Sequence, residues 1–196
     1  MKKICFNAEN VVTFWLSSME NLIMDLKAVL RTVPGFPKEG VTFIDITTLV
    51  KDSHAFRETV RRLLEPFRSQ KIDRVVAVES RGFIFGGAIA QELGCGFVPV
   101  RKPGKLPAET YSESYELEYG TDTLEIHKDA IDSGQTVLVV DDLLATGGTA
   151  AAVLNMLKNF DCKVIGAAFV VELDFLNGRA KMGDIPVHSL VHYDSE

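Results

Sequence analysis

The segment from Val137 to Thr149 constrains the fold more than any other part of the chain. Four apolar residues at 137–140 are followed by two adjacent aspartates, Asp141 and Asp142, and then by a turn with two glycines. A strand that is apolar along its whole length is typical of the centre of a parallel sheet. A glycine-rich turn at its end leads into a helix. The segment therefore predicts a strand–turn–helix unit of an α/β fold.

Other parts of the chain repeat this alternation. Buried strands are predicted at residues 74–78, 97–100, 137–140 and 164–171. Helices are predicted after an N-cap at Ser53, up to Leu93 before Gly94, and over residues 150–160. Strands that alternate with helices form parallel βαβ units, so the predicted fold class is α/β, with a central parallel sheet flanked by helices.

The N-terminal part is predicted to be a helical extension over residues 1–33, followed by a single domain over residues 34–196. Apolar residues recur every three or four positions from Val12 to Val33, which predicts one amphipathic helix. This helix either covers the main domain as a lid or contacts a partner subunit. Pro34 and Gly35 then end the helix and open a loop.

Composition narrows the classes of partner. The net charge of −6 argues against binding to nucleic acid or to an anionic membrane surface. No apolar run reaches the length of a transmembrane helix. The three cysteines are far apart and include no Cys-x-x-Cys pair, which excludes a disulfide scaffold and a zinc ribbon. We expect a cytoplasmic protein.

The turn after the central strand is suited to a phosphate monoester. The backbone N–H groups from Thr146 to Thr149 are free at the start of a helix, where the helix dipole favours an anion. No lysine follows the glycines and no Gly-x-Gly-x-x-Gly is present, which disfavours nucleoside triphosphates and dinucleotides. The acceptors of Asp141 and Asp142 suit vicinal ribose hydroxyls, and either could contact a metal ion through water.

A long segment at residues 102–123 shows no pattern of helix or strand and is rich in tyrosine, glutamate and serine. Segments of this length in compact domains are usually lids or disordered, so we predict a long flexible active-site loop. Arg101, Lys102 and Lys105 place three cations at the start of this segment. A diphosphate explains Arg101 and Lys105 best, whereas for Lys102 a solvated surface is an equal alternative.

The acidic pair followed by Ala-Thr-Gly-Gly-Thr resembles the signature of the type I phosphoribosyltransferases. These enzymes transfer the ribose phosphate of 5-phosphoribosyl-1-diphosphate (PRPP) to a nitrogen of a base. The segments 36–47, 79–83, 101–107 and 117–120 are similar to those of the family members that act on adenine, and the resemblance extends from about residue 36 to residue 173. It implies a Mg²⁺-dependent homodimer that makes AMP and diphosphate from adenine and PRPP.

The resemblance also implies a role for each matching residue. The 5′-phosphate and ribose would contact Asp141, Asp142, Ala145, Thr146, Gly147, Gly148 and Thr149. The diphosphate would contact Glu79, Ser80, Arg81, Arg101, Lys102 and Lys105, with a cis peptide before Ser80. Adenine would lie between Phe43 and Leu143, with the backbone of Thr42 reading its edge. Glu118 would be catalytic, Tyr119 would lie in the same loop, and Mg²⁺ would be held by PRPP and water with no direct protein ligand.

One residue departs from the family pattern. Many relatives carry an arginine that contacts the base where this chain has Ile44, so we expect adenine to remain the preferred base but to bind more weakly. Two alternatives stay open. The first is a transferase for another base, such as hypoxanthine, guanine, xanthine or orotate. The second is a PRPP-binding regulator without catalysis, although residues 1–33 are too few and too neutral for a DNA-binding module.

Overall fold

The computed structural model describes residues 24–117 and 120–195. In chain order, the strands are β1 (Arg31–Pro34), β2 (Thr42–Asp45), β3 (Arg74–Val78), β4 (Gly96–Val100), β5 (Thr110–Leu117), β6 (Gly120–His127), β7 (Gln135–Leu144), β8 (Cys162–Leu173) and β9 (Val187–Tyr193). The α-helices are α1 (Leu26–Val29), α2 (Thr47–Val50), α3 (Ser53–Leu64), α4 (Gly82–Leu93) and α5 (Gly148–Leu157). Short 3₁₀ turns lie at Glu65–Phe67, Asp174–Leu176 and Gly178–Met182.

Five parallel strands form the central sheet, in the order β4-β3-β7-β8-β9. This confirms the predicted α/β class. Alternate residues of β7 face two separate cores: Leu138 and Val140 pack with α3 and α4, whereas Val137 and Val139 pack with α5 and β6. Because β7 is buried on both faces, it carries the continuous apolar run seen in the sequence. None of the described helices is long and apolar enough to cross a membrane.

The helix boundaries follow local capping. Gly94 ends α4 with φ of 65°, as predicted, because a left-handed residue there closes the last turn. The predicted N-cap at Ser53 is wrong by one residue. Asp52 caps α3 instead, and its carboxylate accepts 2.9 Å hydrogen bonds from the backbone N–H groups of His54 and Ala55.

The predicted N-terminal helix is wrong in its last turn. Residues 12–23 lie outside the described part of the chain, and α1 spans only Leu26–Val29. Residues Arg31–Pro34 form β1, which pairs antiparallel with β2, so strand pairing outweighs the helical spacing of Val29 and Val33. Leu26 and Leu30 are buried in the same core as the sheet, and residues 24–33 therefore pack as part of the main domain.

The absence of secondary structure predicted at residues 102–123 is wrong as well, because most of this segment forms the antiparallel hairpin of β5 and β6. Tyr111 and Tyr115 alternate with exposed residues along β5 and pack on the core beneath α5. Leu124 and Ile126 of β6 are fully buried in that core. The alternation has a period of two, which is the signature of a half-buried strand.

Candidate active site

A cavity of about 260 Å³ opens where β3 and β7 end. This is the edge at which open α/β sheets bind ligands, because loops from neighbouring strands meet there. The cavity brings together most of the polar residues that the sequence singled out. Its walls include Glu79, Ser80, Arg81, Lys102, Asp141, Asp142 and Leu143, together with the whole turn from Ala145 to Thr149.

The turn between β7 and α5 forms one wall of this cavity. Gly147 adopts φ of 74°, a left-handed conformation that favours glycine, and α5 begins at Gly148 with no side-chain cap. The first hydrogen bond of the helix runs from the Ala151 N–H to the Gly147 carbonyl. The preceding N–H groups therefore keep the free hydrogen-bonding capacity of a helix start, as a phosphate site requires.

Two adjacent carboxylates form the floor of the cavity. Asp142 is 5 % exposed, and its backbone N–H donates to Asp141 Oδ1 at 2.9 Å. Burial raises the pKa of both carboxyl groups, and repulsion by Asp142 raises that of Asp141 further. Arg81 Nε lies 2.7 Å from Asp142 Oδ2 and opposes the increase at Asp142. The pair is thus arranged to accept donors or a cation.

Arg81 connects the carboxylates to the residues expected to bind the base. Its guanidinium carbon lies 5.1 Å from the centre of the Phe43 ring, while Nε pairs with Asp142. Phe43 also meets Phe36 edge-on at 5.2 Å. Arg81 therefore lies between the predicted stacking face of Phe43 and the predicted ribose site, and a base that stacks on Phe43 from this side must displace its guanidinium.

The residues expected to bind diphosphate divide into two groups. Ser80, Arg81 and Lys102 line an open cavity together with Glu79, and the peptide between Glu79 and Ser80 is cis, as expected. The Glu79 carboxylate instead binds protein groups: it accepts from Arg101 Nε at 2.7 Å and from the Lys102 N–H at 2.8 Å. Burial opposes its ionisation, but these two donors keep its pKa below the usual range.

Two cations of this region, Arg101 and Lys102, are paired with acidic side chains. Arg101 pairs with Glu79, and its Nη1 donates to the Lys105 carbonyl at 3.3 Å. Lys102 Nζ lies 3.0 Å from Asp122 of the hairpin. In this arrangement Glu79 orients Arg101 and the backbone at Lys102. The predicted contact of Glu79 with diphosphate would instead place a carboxylate next to an anion, which it repels.

The three predicted adenine residues do not line one cavity. Leu143 borders the 260 Å³ cavity, whereas Thr42 borders a second cavity of about 330 Å³ between β2 and the end of β8. The Phe43 ring contacts Arg81 and Phe36.

Ile44 lies on the opposite face of β2 from Phe43, because successive side chains of a strand alternate. It is 7 % exposed and belongs to the main core. Ile44 also borders the 330 Å³ cavity beside Thr42, and the weaker adenine binding expected from the missing arginine stays a prediction. An arginine side chain here would bring a charge into the core and the neighbouring 330 Å³ cavity.

Glu118 and Tyr119 lie outside the described residues, but the strands on either side of them are placed. Thr149 Oγ1 donates to the Tyr115 hydroxyl at 3.2 Å, and Asn155 Nδ2 donates to Glu113 at 3.1 Å. The hairpin is thus held against α5 and covers the predicted phosphate turn, residues 145–149. Sequence reasoning missed Tyr115, although its place in the period-two pattern of β5 could have identified it.

Gly82 is a second residue that sequence reasoning left without a role. A Cβ atom at this position would lie 2.6 Å from Asp141 Oδ1 and 3.3 Å from the Val140 carbonyl oxygen. The glycine allows α4 to begin directly against the strand end that carries the carboxylates. The position of Gly82 after Glu-Ser-Arg was visible in the sequence, but the approach to Asp141 depends on how the helix packs.

Comparison with known proteins identifies the family of this chain. Residues 47–186 match the family model of the phosphoribosyl transferase domain. The adenine phosphoribosyltransferase of Koribacter versatilis is 56 % identical over 169 residues, which cover 86 % of this chain and 93 % of that protein. The enzyme of the same name from Acaryochloris marina is 55 % identical over 170 residues, which cover 87 % of this chain and 100 % of that protein.

Solved structures show the same relationship. The adenine phosphoribosyltransferase of Thermoanaerobacter pseudethanolicus superimposes with a TM-score of 0.83 at 50 % identity, over 86 % of this chain and 98 % of that one. The Saccharomyces cerevisiae enzyme gives a TM-score of 0.80 at 45 % identity, over 85 % of this chain and 96 % of that one. The chain therefore belongs to the phosphoribosyltransferase family and, within it, to the adenine phosphoribosyltransferases.

Proposed function

We propose that this enzyme transfers ribose 5-phosphate from PRPP to adenine and releases AMP and diphosphate, a reaction of purine salvage. The observation that carries the proposal is one cavity that joins a free helix start to two adjacent carboxylates, of which Asp142 is buried. The solved Saccharomyces cerevisiae enzyme is a complex with an imino-altritol bisphosphate and adenine, and the Giardia lamblia enzyme, at 32 % identity, is a complex with 9-deazaadenine. Both ligand sets agree with this pair of substrates.

Each part of the cavity has a separate task in the reaction. The N–H groups at the start of α5 bind the 5′-phosphate, and Asp141 and Asp142 accept hydrogen bonds from the ribose hydroxyls. These contacts fix C1′ while its bond to diphosphate breaks and positive charge develops on the sugar. The carboxylates lie where they stabilise that charge. Arg81 and Lys102 border the region where diphosphate leaves.

The carboxylates also fit a magnesium ion. Asp141 and Asp142 are adjacent oxygen donors in a cavity, and Arg81 forms an ion pair with Asp142. Hydrated Mg²⁺ prefers such oxygen ligands, so we propose that both aspartates hold it through water, with PRPP as the main ligand. When bound, the ion supplies positive charge that neutralises the diphosphate leaving group.

Glu118 is proposed to assist proton movement on the adenine ring, with Tyr119 next to it in the sequence between β5 and β6. Glu118→Gln removes the charge but keeps the size, so we expect kcat to fall by about 100-fold while the KM for PRPP changes by less than about threefold. Initial rates with saturating PRPP, Mg²⁺ and adenine measure this change. Glu116→Gln is the matched control, because Glu116 is an exposed carboxylate of the same hairpin.

The same assay tests the function itself when each base is offered to the unmodified protein. We expect turnover with adenine that greatly exceeds turnover with hypoxanthine, guanine, xanthine or orotate. A preference for one of those other bases would contradict the adenine assignment. Binding of PRPP without turnover of any base would instead support a non-catalytic regulator.

The proposal also includes a cytoplasmic homodimer. Free thiols at Cys95 and Cys162 suit a reducing compartment. The outer face of α4 and the neighbouring edge strand β4 expose Ile84 and Phe97, and Phe83 packs edge-on against Phe97 at 5.5 Å. Large apolar side chains exposed in this way favour contact with a second subunit.

Light scattering is expected to give twice the chain mass of 21.6 kDa. Deletion of residues 1–23 is expected to leave a dimer, with twice the mass of the shortened chain, because the exposed apolar residues lie on α4 and β4. A monomer after the deletion would assign dimer contacts to the N-terminal residues, and a monomeric full-length protein would contradict the dimer.

A further inference from the structure

A short segment after β8 contacts the back of the phosphate turn through its backbone. Residues 174–181 are exposed with the exception of Gly178, which is buried. A Cβ atom on Gly178 would lie 2.1 Å from the Ala145 carbonyl oxygen and 2.8 Å from the Gly147 nitrogen. In return, a Cβ atom on Gly147 would lie 2.3 Å from the Gly178 carbonyl oxygen. The two backbones are therefore in contact with no room for a side chain between them.

The segment that carries Gly178 is fixed to the sheet on both sides. Arg179 forms a two-pronged ion pair with Glu172 of β8, with Nε 3.0 Å from Oε1, and Glu172 is only 4 % exposed. Arg179 Nη1 also donates to the Val187 carbonyl of β9 at 2.9 Å. Met182, at the end of the same 3₁₀ turn, is buried in the core beneath α5. Gly178 is thus held at a constant distance from the phosphate turn.

We propose that Gly178 is a positioning residue for the 5′-phosphate, an inference that rests on the proposed function. Gly147 already adopts a left-handed conformation and Ala145 presents its carbonyl toward Gly178, so the turn has little freedom to retreat. A side chain at position 178 would push Ala145–Gly147 toward the cavity and redirect the N–H groups that face the phosphate. Displacement by about 1 Å is enough to cost about 100-fold in a positioned site.

The test is Gly178→Ala in the full-length protein. We expect the KM for PRPP to rise by about 30-fold or more, while the KM for adenine, measured at saturating PRPP, changes by less than about twofold. Calorimetry with ribose 5-phosphate is expected to show the same weakening without any need for turnover. Gly87→Ala is the matched control, because a Cβ on that glycine of α4 meets no atom within 4 Å.

A folded Gly178→Ala protein with unchanged ribose 5-phosphate binding would overturn the inference. Equal increases in both KM values would also overturn it, because they would indicate a general structural role. If the variant fails to fold, Arg179→Lys provides the second test: it keeps the charge, loses the two-pronged contact, and is expected to weaken ribose 5-phosphate binding by about threefold to tenfold. Unchanged binding in that variant would likewise overturn the inference.

These outcomes remain distinct from those of the proposed function. If the unmodified protein fails to convert adenine but binds ribose 5-phosphate, and Gly178→Ala weakens that binding, the transferase assignment fails while the role of Gly178 stands. If the unmodified protein converts adenine normally and Gly178→Ala does not change ribose 5-phosphate binding, the role of Gly178 fails while the transferase assignment stands.

Discussion

Replacement of Thr146 by alanine together with Gly148 by valine is expected to raise the KM for PRPP by about 1000-fold. The first change removes a hydroxyl donor from the turn, and the second places a side chain where the phosphate approaches the backbone. Hydrogen bonds to charged groups contribute about 1.5–3 kcal/mol each, so loss of two costs about 4 kcal/mol, which corresponds to about 1000-fold. A Cβ at position 148 would also lie 3.2 Å from the Tyr115 ring and 3.3 Å from the Glu116 carbonyl oxygen, which displaces the hairpin cover.

Calorimetric titration with PRPP and steady-state kinetics measure this effect. Thr146→Ser is the control, because it retains the hydroxyl, and it is expected to remain within about threefold of the unmodified protein. If the double variant binds PRPP with unchanged affinity, the phosphate does not bind at the start of α5. The assignment of Asp141 and Asp142 to the ribose would then also fail, because it depends on the position of the 5′-phosphate.

The parts of the fold that depend on residues close together in the sequence were predictable from the sequence alone. The apolar run of β7, its two aspartates and the glycine turn lie within thirteen consecutive positions, and each property follows from a local requirement. Gly94 as the end of α4 is predictable for the same reason, since the left-handed closing residue is chosen locally. The cavity that joins these residues then follows from the parallel arrangement of β3 and β7.

The errors occur where pairing with a distant segment determines the structure. β1 is a strand because it pairs with β2, although its residues continue a helical spacing. The β5–β6 hairpin is polar enough to suggest a loop, yet Tyr115 and Leu124 bury their side chains against α5 and the sheet. Strand pairing and packing of this kind outweigh local preference.

Parts of the site were unpredictable for a geometric reason. These parts depend on how helices and strands approach one another in space. Examples are the contact of Glu79 with Arg101, the burial of Ile44 in the core, and the approach of Gly82 to Asp141. A sequence motif identifies the residue type that such an approach requires, but it does not state which atom lies opposite. The close approach at Gly82 leads to the second large effect.

Gly82→Ala is expected to lower kcat/KM for PRPP by about 100-fold. Its Cβ would lie 2.6 Å from Asp141 Oδ1, closer than real Cβ atoms approach, and 3.3 Å from the Val140 carbonyl oxygen, which is a tight contact. Because β7 is buried on both faces, the backbone at Val140 has little room to move, and the Asp141 carboxylate must rotate away. Rotation breaks the 2.9 Å hydrogen bond from the Asp142 N–H to Oδ1 and disturbs both proposed ribose contacts.

Gly87→Ala makes the same chemical change in the same helix, where the added methyl group meets no atom within 4 Å. It is expected to retain full activity and to gain up to about 1 kcal/mol of stability, because alanine favours a helix over glycine. Thermal unfolding then separates loss of stability from loss of activity. The Gly82 variant should remain folded while its kcat/KM for PRPP falls, since the strain is confined to one carboxylate and the first turn of α4. Equal activity of the two variants would show that the Asp141 carboxylate can move without loss, and it would remove that residue from the ribose site.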